Sequence, residues 1–253
     1  AYNQYQLALE ARDRSGLVDK DDRDAQKDCY FRSGQCAYKA NDLGEAREML
    51  SEAILWSATG APGDPRAIPC RELLGDIYLE LGHPDHAIRI YEHYLDQKYH
   101  QLDERGDSLS RVSLKLAKSY LRRFSYGQAR KVLERVVRDN PVKRKPGTGK
   151  VVEGPKLKAQ RLLAQSYRDE ADVSFDDARR EALLAADQEY VDLLEINPKE
   201  YSALRAIAEI NFELANPQSS DHYDRAAEFF RRYVESGAVD GDEDRDEVLY
   251  RWG

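Results

Sequence analysis

The chain has 253 residues, 41% hydrophobic and 34% charged, with a net charge of -8. That apolar fraction builds a packed core, while the charge density and a mean hydropathy of -0.77 suit a fold with much surface relative to core, such as an open stack of helices. The negative balance argues against nucleic acid or an anionic membrane as main partner unless basic residues are segregated, and no apolar run reaches the roughly 18 residues that span a bilayer.

The sequence starts at Ala1 and holds one methionine, Met49. The expectation is therefore that a native N-terminus is missing and that the chain is a segment of a longer protein. Cys29, Cys36 and Cys70 make an odd count that leaves a thiol free, which fits a reducing compartment, so a cytoplasmic location is expected.

In chain order, apolar residues recur as pairs of amphipathic helices. Residues 1–14 carry Ala1, Tyr5, Ala8 and Leu9, the pattern of a second helix whose first is absent. Residues 28–61 carry Gly34, Ala37, Ala46, Leu50 and Ala53. Residues 69–99 contain "LLGDIYLELGHPDHAIRIYEHYL", with Leu74-Gly75, Tyr78, Ala87, Tyr91 and Tyr94. Residues 110–141 repeat this series as Leu116-Ala117, Tyr120, Ala129, Leu133, Val136 and a closing Pro141. A basic loop, 142–156, follows. Residues 157–198 open with Leu163-Ala164 and Tyr167 and close at Pro198, about ten residues more than a repeat of about 34; two of these are expected to fall before Phe175 and the rest to lengthen the second helix to Asp176 to Ile196. Residues 201–238 run through Ile207-Ala208 and Phe212 to Ala226, Phe230 and Tyr233, and 239–253 form an acidic linker and the start of a further helix.

The order Leu-Gly, Tyr, Ala, aromatic resembles the tetratricopeptide repeat, and the resemblance covers nearly the whole chain. It implies one all-α, right-handed superhelical solenoid of antiparallel helix pairs. Small residues belong where helices approach most closely: Gly34, Gly75, Ala117, Ala164 and Ala208 at one place, and Ala46, Ala87, Ala129, Ala178 and Ala226 at the other. Most of the 16 tyrosines then read as core.

Candidate chemistry fails on spacing. "GTGK" in the basic loop ends like a phosphate-binding loop, but Arg144 stands where the first Gly is needed and Val151 where the hydroxyl is needed. His83 and His86 lie three apart, whereas His93 and His100 follow at steps of seven, about 10.5 Å along a helix, too far to share one zinc; a solvated turn is the plainer reading. In "DGDEDRDE", Arg245 and Arg251 occupy the Gly and Glu places of a calcium loop. Cys29 and Cys36 are too far apart on one helix for a disulfide, so the thiols are expected reduced and partly buried. No nucleophile has a base and an acid placed around it. The expectation is a protein that is not an enzyme and needs no cofactor, metal or small-molecule substrate.

The resemblance further implies that the first helix of each pair lines a concave groove that holds a partner peptide. The groove positions to which binding is assigned are Phe31, Tyr38 and Lys39 in the first unit, Glu72 and Asp76 in the second, Arg111, Lys118 and Arg122 in the third, Lys158, Arg161 and Arg168 in the fourth, and Arg205 in the fifth. An acidic second unit thus adjoins basic third and fourth units joined by the basic loop. This makes an acidic segment of a partner protein the expected ligand, its carboxylates paired by Arg forks. The lysine and asparagines with which related repeats clamp chaperone tails are replaced by Phe31, Gln35 and Leu73, so that activity does not carry over. Two alternatives remain: a targeting or substrate-recruiting module of a larger enzyme, and single-stranded RNA binding along the basic units. RNA ranks last because Leu114 and Leu121, rather than stacking aromatics, line that stretch. Apolar side chains exposed on the lengthened fourth unit would point to self-association.

Overall fold

A computed structural model describes residues 20–58, 67–97, 107–215 and 221–238. The half repeat at 1–14, the acidic segment 239–253 and His100 lie outside the described residues. Among those described, ten helices carry the regular structure: α1 Lys20–Lys39, α2 Leu43–Ala58, α3 Ala67–Glu80, α4 Pro84–Asp96, α5 Ser108–Arg122, α6 Tyr126–Asp139, α7 Pro155–Val173, α8 Asp176–Ile196, α9 Tyr201–Leu214 and α10 Asp221–Glu235. The fold is an all-α helical-repeat solenoid. Its residues gather into two compact units, 1–123 with α1–α5 and 124–253 with α6–α10. α1 starts eight residues ahead of the expected unit boundary at 28.

The expected packing residues are the buried ones. In the first unit, Ala46, Leu50, Ala87, Tyr91 and Tyr94 are sealed from solvent, and Gly34 and Gly75 let α2 and α4 come close. A methyl group at Gly75 would stand 2.5 Å from the Tyr91 ring, and one at Gly34 2.7 Å from Leu50. In the second unit, Ala129, Leu133 and Val136 line α6, and Ala226, Phe230 and Tyr233 line α10. Among the described residues four helices end on a left-handed residue, Asn41 (φ 62°), Gly82 (φ 79°), Phe124 (φ 60°) and Gly237 (φ 75°). After α1 and α3 the reversal is closed by amides reaching back five residues, Asp42 to Ala37 O at 2.9 Å and His83 to Tyr78 O at 2.8 Å. His83 and His86 are exposed at the turn, as expected, and His86 also stacks on Tyr78 at 5.0 Å. No disulfide joins the three cysteines, of which Cys70 is buried and Cys29 and Cys36 are half-buried.

One expected packing position is wrong. Ala178 is exposed; the series that matches Ala87, Tyr91 and Tyr94 is Ala186, Tyr190 and Leu193, all buried. The extra residues of this pair therefore all precede Ala186. They extend α7 to Val173 and add turns to the start of α8, where residues 176–181 are exposed. The pair ends in a tip that overreaches its neighbours by about two helical turns.

The basic loop is more than a connection. It is a tight hairpin held by an antiparallel bridge between Arg144 and Val151, with Lys145 N donating to Lys150 O at 2.8 Å and Val152 N to Lys143 O at 3.0 Å. Pro146 and Gly147 (φ 79°) occupy the two central places of a turn that needs a fixed φ followed by a positive one. The amides of Thr148 and Gly149 point inward to Lys145 O, so they form a turn and not a phosphate cradle.

Candidate functional site

In the first unit the outward residues of α1, α3 and α5 are tied to one another by charge. Arg111 on α5 grips Glu72 on α3 through Nε at 2.8 Å and Nη2 at 3.1 Å. Lys115, one turn further along α5, reaches both Glu72 at 2.8 Å and Asp76 at 2.5 Å. Arg122 donates to the Leu79 carbonyl at 2.6 Å. On the other side of α3, Glu80 accepts from the Tyr38 hydroxyl of α1 at 2.6 Å, and Asp76 accepts from Tyr91 of α4 at 2.6 Å.

These contacts leave their mark on protonation. Burial alone would raise the Glu72 carboxyl, but hydrogen bonds from Arg111 and Lys115 outweigh it and hold the group at about 2. The bond to Glu80, helped by burial, pushes the Tyr38 hydroxyl up to about 12. Burial, then the Asp76 carboxylate, drives Tyr91 far upward.

The second unit repeats the device. Arg161 on α7 forks onto Glu200 at 3.0–3.1 Å, just ahead of α9, and also meets Glu153 at 3.0 Å. Burial would raise Glu200, yet Arg161, Asn197 and Ser202 bring it below the usual carboxylate range. Arg168 pairs with Glu213 of α9, which also accepts from Arg179 of α8 at 2.7 Å. Arg205 pairs with Glu209 along its own helix at 2.7 Å. Arg130 of α6 lies 3.6 Å from the centre of the Tyr167 ring and pairs with Glu170.

The assigned binding residues are therefore divided. Glu72 is 5% exposed and is a structural anchor, not a partner contact; Asp76 is likewise held by Lys115 and Tyr91. Arg111, Arg161, Arg168 and Arg205, read from sequence as free cations, are each committed to a carboxylate of the same chain. The reason is that an acidic repeat beside a basic one neutralises it. Phe31 and Tyr38 are half-buried against the core of the first unit. Lys39, Lys118, Arg122 and Lys158 remain exposed. Sequence reasoning missed Lys115 and Glu200. Lys115 carried a readable signal, since it stands one helical turn after Arg111, on the same face.

Stacked helix pairs whose first helices interlock by charge, with the remaining polar residues facing water, define a helical-repeat interaction module, a class that is in general non-catalytic. The tetratricopeptide-repeat family model matches residues 69–99 and again residues 111–141. No curated protein matches the chain by sequence. Among solved structures it is similar to MamA, residues 41 to the end, from Desulfovibrio magneticus RS-1, with a TM-score of 0.58 at 18% identity, covering 84% of this chain and 96% of that one. It is similar also to the C-terminal part of a TPR repeat-containing protein from Cytophaga hutchinsonii, with a TM-score of 0.62, 14% identity and coverage of 99% and 84%. A third likeness is a putative kinesin light chain with TPR-like repeats from Podosopora anserina, with a TM-score of 0.56, 16% identity and coverage of 85% and 93%. Residues 69–99 and 111–141 are thus tetratricopeptide repeats, and such repeats support, in general terms, a protein-interaction scaffold.

Proposed function

We propose that the chain is a non-catalytic scaffold that binds an acidic segment of a partner protein along the first-helix face of its second unit, and that the hairpin at 143–152 is the principal contact. The observation that carries this reading is the contrast between two sets of cations. Arg161 and Arg168 are already paired. Lys143, Lys145 and Lys150 are exposed and, among the described residues, no carboxylate pairs with them. Their backbone is fixed by the bridge and the Pro146-Gly147 turn, so little ordering is needed on binding. Glu153, at the base of the hairpin, accepts from Arg161 of α7. The lysines therefore stand beside the face that also carries Lys158, and a segment lying on that face meets both.

The test uses a fluorescein-labelled glutamate-rich peptide and anisotropy on the full chain. Changing Lys143, Lys145 and Lys150 together to Glu should weaken binding by at least about tenfold, with the helical circular dichroism unchanged because the three side chains are exposed. Arg161→Gln should matter less to binding than to stability. Equal binding by the triple variant would remove the hairpin from the reading. Tighter binding of polyuridylate, with a steep salt dependence, would replace the acidic peptide by RNA.

A further inference from the structure

A second surface lies at the turn edge of the second unit, away from the ion pairs of Arg161. Phe124 is 70% exposed, Val173 54% and Phe175 80%. Phe212 and Tyr223, also on the exposed side, meet edge-to-face at 6.2 Å. Phe124 lies in the turn before α6 and Phe175 in the turn between α7 and α8, Val173 ends α7, Phe212 lies in the last turn of α9 and Tyr223 in the first turn of α10. Contacts within the unit bring them to one edge. Phe124 packs on Tyr126 at 6.4 Å, and Tyr126 donates to the Asp169 carbonyl of α7 at 3.3 Å. On the other flank Arg168 of α7 and Arg179 of α8 both hold Glu213, next to Phe212. The overreaching tip of α7 and α8, with Val173 and Phe175, stands between these flanks.

Phe124 breaks a rule that its counterparts obey. Asn41 and Gly82 end α1 and α3 in the left-handed region, which those residue types enter readily; at the same place after α5 the chain has a phenylalanine at φ 60°, which pays for the conformation and gains no burial from it. The conformation turns an aromatic ring into water. Such departures from local preference concentrate at surfaces that have another task.

The rim of this edge is acidic. Asp169, Glu170, Asp172, Asp176 and Asp177 lie at the tip; Glu170 pairs with Arg130 and Asp172 with Arg168, whereas among the described residues no cation pairs with Asp169, Asp176 or Asp177. Burial and then the carboxylates of Asp169, Glu170 and Asp172 raise the Tyr126 hydroxyl, with Arg130 opposing them. We infer that this edge docks a partner protein segment bearing both apolar and basic side chains, with the apolar ones on Phe124, Val173 and Phe175 and the cations on the rim. A second copy of this chain fits less well, because a two-fold contact would set the same carboxylates against one another. An anionic membrane meets the same repulsion.

The probe is a phage-displayed library of random peptides, selected on the full chain with the variant Phe124→Gly/Phe175→Ser in excess as competitor. Recovered peptides should be enriched in Lys and Arg alongside Leu, Ile and aromatics. A recovered peptide should bind the wild type at least about tenfold more tightly than the double variant, and should lose that binding when its cations become Glu. Phe124→Gly should keep or raise the melting temperature, since glycine suits the backbone there, so lost binding is separable from lost folding. Binding should survive the hairpin lysine variants, which separates this edge from the surface proposed above. No enrichment, recovery of acidic peptides, or equal binding by the variant would overturn the inference. So would a wild-type dimer, or retention on phosphatidylserine vesicles, that the double variant abolishes; these would give the edge to a second copy or to a membrane.

Discussion

Gly75→Ala is expected to destabilise the first unit by about 2 kcal/mol, net of the helix preference that alanine gains. The added methyl would stand 2.5 Å from Cε1 and 2.6 Å from Cζ of Tyr91. That ring cannot swing aside, because it is fully buried and its hydroxyl is fixed on Asp76 at 2.6 Å. The same substitution at Gly127, where nothing lies within 4 Å of the new methyl, should stabilise the second unit by up to about 1 kcal/mol. Hydrogen exchange on peptides from α3 and α4, and separately from α6, reads both effects in the intact chain. Tyr91→Leu combined with Gly75→Ala should cost less than the sum of the single changes, since it removes the atoms in collision. Equal and small effects at the two glycines would show that the close approach of α3 and α4 is not what requires a glycine.

Glu72→Gln should cost about 2 kcal/mol at pH 7. Removing one partner of a fully buried pair costs more, but Arg111 and Lys115 are 24% and 27% exposed and recover part of their hydration. The pH dependence is the more specific test. In the unfolded chain this carboxyl takes up its proton near its ordinary 4.5, and in the folded chain only near 2. The unfolded state therefore binds more protons in that window, and folding stability falls as pH falls. The contribution is whole above about 4.5 and is lost as pH drops towards 2. Exchange protection of α3 and α5 in the wild type should decline over this range, and the glutamine variant should show a shallower decline. Parallel declines would mean that the titration belongs to other carboxylates.

The helix pairs were readable because packing imposes residue types at fixed intervals. Leu74-Gly75 through Tyr94 announces its pair, since a glycine, an alanine and two aromatics at those steps have one use. The same logic placed α8 at Asp176–Ile196 yet chose the wrong alanine within it. Ala178, Ala182 and Ala186 all fall on apolar steps of one helix, and only the burial of Tyr190 and Leu193 fixes the frame on Ala186. Charge was the least readable layer. Each first-helix residue was assessed inside its own repeat, whereas its partner lies one repeat on: Arg111 with Glu72, Lys115 with Asp76 and Arg161 with Glu200 are all 39 positions apart. Opposite signs in adjacent repeats look like segregated patches along the chain and become pairs once the helices lie side by side. The hairpin was legible in composition, through Pro146-Gly147, but its register was not, because neither strand alternates apolar and polar residues strongly enough to set one.

Because every added residue of the fourth pair falls ahead of Ala186, the tip is a cassette. Residues 173–181 can be shortened, extended or exchanged while Ala186, Tyr190 and Leu193 continue to hold α8 in place. The scaffold and the surface it displays can therefore change independently, so the length of this hairpin is free to diverge where the core residues beneath it are not.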